Sequence, residues 1–192
     1  LRATSPDDLK AVLAAHTAGP VHIHIAEQPK EVADISAWLG ARPVDWLLAN
    51  AEVTINWSLI HATHMTADET LKMAKSGAVA GLCPVTEANL GDGPFNGPSY
   101  LEAGGAFGVG SDSNVLISLT EELRTLEYSQ RLGLKARAVL AGRFTVAIDD
   151  IKALALPIMR HRIGLNFAAM SDGVTTDDVI KRLLADIPAS GE

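Results

Sequence analysis

The sequence predicts an α/β chain: four parallel β-segments with helical connections, half of a (β/α)8 barrel, followed by a small all-α tail. Three observations carry this. Short apolar, β-branched runs alternate with stretches of helical period over the first two thirds, which implies parallel pairing through right-handed crossovers. A doubly wound sheet would show the same alternation. The choice falls on the barrel because His24, His61 and Asp112 sit at or just past the ends of three of these runs, the face on which barrel enzymes carry their sites. A whole barrel takes about 250 residues, and only four strand-like runs are present.

Taken in order, PVHIHIA (20–26) is a strand closed by a polar cluster. Residues 29–50 are helical in pattern, with Val32, Ile35, Trp38 and Leu39 at 3–4 spacing and a break at Gly40–Pro43. VTINWSLIHA (53–62) is the second strand. A helix follows over 66–77, with Thr66 as N-cap, Glu69 at the third helical position and Gly77 just past the end. AVAGLCP (78–84) is the third strand. The stretch from Val85 to Ser99, rich in Gly, Pro and Asn, reads as a long loop of the kind that is functional or disordered. AFGVGS (106–111) is the fourth strand and residues 116–132 a helix with a charged outer face. Beyond a boundary within 133–145 the pattern changes to short helices, one over 150–163 capped by Asp149 and interrupted near Pro157, another over 177–186 capped by Thr175 or Thr176. The expected domains are 1–135 and 136–192.

Composition narrows the function. With 47% apolar residues in 192 the chain can bury a core without disulfides, and one cysteine, Cys83, fits a reducing compartment. A net charge of −7 argues against nucleic acid as a partner. No apolar run reaches bilayer length, and the opening LRATSPDDLKAV has no signal-peptide core. It has no initiator Met either, so the expectation is a fragment of a cytoplasmic protein that acts on a small molecule.

Four of the six histidines cluster by strand: His22 and His24 on the first, His61 and His64 at the end of the second. A neutral imidazole such as that of His24 is a good zinc ligand. Glu27, three residues on, could sit beside the metal and move a proton. His61 could face the same centre, and Asp112 follows two glycines where the last strand opens. Each has a plainer reading. His22 is better taken as a hydrogen-bonded interior residue, His64 as a loop residue and His16 as a helix-surface one. Glu27 could be a first-turn helix charge, and Asp112 a turn residue. Cys83 fits a small buried hydrophobe better than a nucleophile. Trp38, Trp46 and Trp57 fit core or helix packing.

HIHIAEQ (22–28), LIHATHMT (59–66), CPVTEANLGDGPFN (83–96) and GVGSDSNVLISLTEELRTLEYSQRL (108–132) resemble deaminases of the amidohydrolase superfamily, and among them the deiminases of bacterial histidine degradation that act on N-formimidoyl-L-glutamate. The resemblance implies strands five to eight of a metal-dependent barrel, with a zinc cofactor and a possible homodimer in the full-length enzyme. It implies His24 and Asp112 as zinc ligands. Glu27 would shuttle protons to the leaving nitrogen, His61 would polarise the attacking water, and Asp112 would also take its proton. Arg2 would bind a substrate carboxylate, for which a bidentate guanidinium is suited. The family's strand-one His-x-His pair, two further zinc ligands, is absent from these residues. This chain alone is therefore expected to be inactive.

The tail segments AGRFTV, DDIKALALP and RHRI resemble the helical lid of MoxR-type AAA+ ATPases over about 134–188. No Gly-x-x-x-x-Gly-Lys-Ser/Thr loop occurs, so no ATPase activity is implied. The alternative to a deiminase fragment is a non-catalytic assembly module, or a chimeric chain, whose tail docks on a partner ATPase.

Overall fold

Valine and isoleucine alternate with histidine along Val21–Ile25, and this period of two lets one face of the strand meet apolar helices while the other carries imidazoles. In the computed structural model, which describes residues 4–16, 18–113, 116–137, 139–140, 165 and 173–186, all four expected strands form. They are β1 (Val21–Ile25), β2 (Trp57–His61), β3 (Val79–Leu82) and β4 (Ala106–Val109), paired in parallel in the order β1-β2-β3-β4. A doubly wound sheet reverses its strand order at a switch point. Strictly sequential parallel order is that of consecutive units of a barrel, as expected.

The helices are α1 (Pro6–Ala15), α2 (Pro29–Leu39), α3 (Pro43–Asn50), α4 (Ala67–Ser76), α5 (Pro84–Leu90), α6 (Gly97–Glu102) and α7 (Leu119–Leu134). The break at Gly40–Pro43 separates α2 from α3, with Gly40 at φ 72° ending the first. Thr66 and Glu69 form the full capping box of α4. One core joins strand residues Ile25, Leu59, Ala80 and Leu82 to Val32, Ile35, Val44, Leu47, Met73 and Leu126 of the helices. Burying each large aliphatic of this set contributes about 1.5–3 kcal/mol. On the opposite face the register aligns His24 with Ile60 and Ile60 with Gly81. A Cβ on Gly81 would lie 2.5 Å from Ile60 Cδ1, so the glycine makes room for the isoleucine.

Several expectations need correction. Residues 85–99 are not one loop. Pro84 starts α5 and Pro98 lies in the first turn of α6, where a missing N–H costs nothing, leaving only 91–96 irregular. Residues 6–15 form a helix that apolar periodicity does not reveal; its signal is Ser5, whose hydroxyl caps Asp8 N at 3.1 Å, followed by Pro6. The helix expected from 116 begins at 119, after the Ser118 cap. Trp38 is 55% exposed, because α2 turns only Val32, Ile35 and part of Leu39 inward. His22 is exposed rather than interior, since β1 is an edge strand whose imidazole face has no covering layer among the described residues.

The chain divides into two compact units, Leu1–Gly142 and Arg143–Glu192. In the second, α8 (Thr176–Asp186) is capped as expected: the Thr175 hydroxyl accepts from Asp178 N, and the Asp178 carboxylate accepts from Thr175 N. The helix expected over 150–163 and Arg2 lie outside the described residues. No helix among the described residues is long and apolar enough to cross a membrane.

Candidate active site

The C-terminal ends of the strands are where the backbone is strained. Five non-glycine residues among those described have positive φ, and four lie there: Ala26 (51°), His61 (67°), Ala62 (49°) and Asp112 (50°). Each such residue costs on the order of 1–3 kcal/mol and persists only where its surroundings hold it. The holding contacts are visible. The Glu31 carboxylate, in the first turn of α2, accepts the N–H groups of Ala26 and Glu27, both at 2.9 Å. Ala62 N donates to Ile25 O and His64 N to Ala26 O, tying the β1 and β2 exits together. Arg42 donates from Nη2 to His64 O and from Nε to Glu69 Oε2 (2.7 Å), clamping the turn between β2 and α4. Val85 N, just past β3, donates to the buried Glu122 of α7 at 2.8 Å.

These exits converge on one ring. By strand register His61 pairs with Ile25 and shares the parity of Trp57 and Leu59, the helix-facing side. Left-handed backbone at 61 and 62 breaks that alternation. The His61 and His24 rings stand 5.4 Å apart between centroids, tilted by 44°. His61 Nε2 is 3.8 Å from Glu27 Oε2, and Nδ1 is 3.2 Å from Glu87 Oε1. One ligand-type atom each from His61, Cys83 and Asp112 lie within 4.8 Å of one another. Of the site residues expected from the sequence, His24, Glu27, His61 and Asp112 therefore meet at one rim, while Arg2 is not described.

The rim has a buried wall and an open mouth. His61, Glu27 and Glu87 are almost wholly buried, whereas His24 and Asp112 are exposed. Burial pushes the Cys83 thiol up to about 12, with the negative charges of Glu87, Asp112 and Glu122 adding to it. Cys83 is thus a protonated, buried small side chain, as its sequence reading has it. Imidazole and carboxylate donors of this kind suit zinc. The tight trio contains Asp112 but has His61 and Cys83 where the sequence expectation has His24. The trio and the neighbouring His24 thus bring two imidazoles, a thiol and a carboxylate to one rim, and the preference for His24 and Asp112 as ligands rests on the resemblance.

Sequence reasoning missed Glu31 and Glu87. Both sit in the first turn of a Pro-started helix, where an acidic residue is ordinarily credited to the helix dipole. The one signal was position: each follows a strand exit by four to six residues, close enough to fold back on it.

The amidohydrolase family model matches residues 2–154. The chain belongs to the amidohydrolase family. A model for the AAA lid domain matches residues 132–183, overlapping the first over 132–154. This amidohydrolase chain is 58% identical over 133 residues to a formimidoylglutamate deiminase of Pseudomonas aeruginosa, covering 69% of this chain and 29% of the relative. It also matches the crystal structure of an amidohydrolase from Brucella melitensis at TM-score 0.72 and 58% identity, covering 77% of this chain and 33% of the other. An adenosine deaminase from Xanthomonas campestris, solved with bound zinc, shares the fold at TM-score 0.66 and 23% identity, with 78% of this chain and 34% of that one covered. The chain thus spans about three tenths of the length of the Pseudomonas aeruginosa relative.

Proposed function

We propose that residues 1–135 supply the second half of the active-site rim of a zinc-dependent deiminase, which converts N-formimidoyl-L-glutamate and water to N-formyl-L-glutamate and ammonia. The observation that supports it most is the meeting of His24, Glu27 and Asp112 around His61 at the strand exits, in a chain so similar to a formimidoylglutamate deiminase. His24 and Asp112 would hold the zinc, with further ligands from outside these residues. When bound, zinc polarises the substrate and makes water acidic enough to ionise near neutrality.

The remaining chemistry belongs to the side chains. Asp112, exposed at the mouth, accepts a proton from the attacking water. His61 hydrogen-bonds that water and orients it toward the formimidoyl carbon. Oxygen adds to this carbon as the carbon–nitrogen double bond opens; the water's two protons, one taken by Asp112 and one by Glu27, both pass to that nitrogen, its remaining bond to carbon breaks, and ammonia leaves as the carbonyl of the product forms. The buried wall excludes bulk water from Glu27, so a proton it holds goes to the substrate. Arg2 binds a carboxylate of the glutamate moiety.

The test is a chimera in which residues 1–135 replace the matching segment of the Pseudomonas aeruginosa enzyme. It should bind zinc and release ammonia from N-formimidoyl-L-glutamate. His24→Ala and Asp112→Ala should each abolish both, and turnover that survives either change overturns the proposal. The AAA lid match favours a second reading for the tail alone, as a helical docking module. Appending residues 136–192 to the chimera should then leave its zinc content unchanged.

A further inference from the structure

One buried carboxylate at the rim has no task in the chemistry above. Glu87 is 4% exposed and lies in α5, against the buried side of His61. Its position is fixed at both ends. Its backbone N–H donates to Cys83 O at 2.9 Å, and its Oε1 accepts the Cys83 N–H at 2.9 Å. The same Oε1 stands 3.2 Å from His61 Nδ1.

An ionised carboxylate only accepts hydrogen bonds. At 3.2 Å the proton of this contact must therefore reside on Nδ1. The opposite tautomer would turn the Nδ1 lone pair toward the Glu87 oxygen inside a buried wall, where an unmade hydrogen bond costs most. A neutral ring with Nδ1 protonated has a bare Nε2, the nitrogen that faces Glu27 at 3.8 Å. This is the division of labour by which a buried carboxylate orients an imidazole that handles protons at its other nitrogen. His61 has further need of such a tether. Its left-handed backbone removes the strand alternation that would otherwise aim the ring.

We propose that Glu87 is a positioning residue that locks His61 in the Nδ1–H tautomer and so presents Nε2 as the hydrogen-bond acceptor for the attacking water. The tautomer is a property of the pair in this chain; the water is part of the proposed function and rests on it. The assignment predicts three outcomes in the full chain labelled with ¹⁵N-histidine. In mildly alkaline buffer, long-range proton–nitrogen spectra of His61, identified by its loss in His61→Gln, should show Nδ1 protonated and Nε2 bare. Glu87→Gln, which keeps an acceptor oxygen, should retain that pattern. Glu87→Ala should lose the Nδ1–H signal in favour of Nε2–H, the form free imidazole side chains prefer.

A wild-type ring protonated at Nε2, or a Glu87→Ala spectrum indistinguishable from wild type, overturns the proposal. Should Glu87→Ala fail to fold, the wild-type tautomer and its retention in Glu87→Gln decide the matter. No turnover is needed for this readout. A locked Nδ1–H tautomer in a chain whose chimera works without His61 would sink the water-handling role while leaving the positioning intact.

Discussion

Replacing Glu31 by alanine should unfasten the β1 exit. Two backbone N–H groups, of Ala26 and Glu27, end on this carboxylate at 2.9 Å each, and Ala26, Glu27 and Glu31 are all buried. Leaving a buried donor unmet costs about 1–3 kcal/mol. Two such donors give about 2–6 kcal/mol, less a few tenths for the better helix propensity of alanine in α2. Glu31→Gln keeps the shape and one acceptor oxygen but turns an NH₂ toward the second N–H, so about half the loss should remain. The assay is urea unfolding followed by tryptophan fluorescence, Trp57 being buried at the start of β2, paired with Val21 of β1. With a slope of about 2 kcal/mol/M, a loss of 3 kcal/mol moves the midpoint down by about 1.5 M. A midpoint for Glu31→Ala within about 0.25 M of wild type, or a Gln variant as damaged as the Ala one, would refute the idea that this carboxylate holds Ala26 in its left-handed conformation.

Four further outcomes follow from the packing and burial. Tyr100→Phe removes a 2.6 Å hydrogen bond to Ala78 O from a fully buried phenol and should cost about 1–2 kcal/mol by urea unfolding. Gly105→Ala should cost more than Tyr100→Phe, because its Cβ would lie 2.4 Å from Tyr100 Cε1. The Cys83 thiol, pushed up to about 12, should react with iodoacetamide at pH 8.5 about a thousandfold more slowly in the folded chain than in urea, where its pKa returns to about 8.5. Burial also pushes Tyr100 up to about 12. Both groups carry raised values in the folded state, so their contribution is fully present below about pH 8.5 and is lost as pH rises toward 12. The urea midpoint should therefore fall between pH 8.5 and 11, and less steeply in Cys83→Ala.

What the sequence made legible was whatever local chemistry writes down. Alternation along 21–25 and the capping box at Thr66–Glu69 are decided within a few residues, and both appear as expected. The barrel order was legible too, because polar residues at the strand ends distinguish it from a doubly wound sheet. The exposure of His22 and Trp38 was not, since it depends on which neighbouring layer covers a face, and no residue type states that. Nor was the run of helix inside 85–99, where Gly and Pro punctuate two short helices as readily as they do a loop.

The same division explains which parts of the site escaped. His24, His61 and Asp112 announce themselves by residue type at strand ends. Glu31, Glu87 and Glu122 do not, because each looks like a helix carboxylate and acts on a backbone N–H elsewhere: Ala26 and Glu27, Cys83, and Val85. All three are buried, at the exits of β1 and β3, and two of them meet strain or the site directly. A charged acceptor binds a backbone N–H more strongly than a neutral one does, so a short acidic side chain on the following helix is a physically economical way to hold a left-handed residue that glycine does not occupy. On that reasoning the acids worth seeking in such a barrel are those in the first turn after a strand exit with no basic neighbour on their own helix face. Glu31 and Glu87 both meet that description: the residues three and four further on are Asp34 and Ile35 for the first, Leu90 and Gly91 for the second.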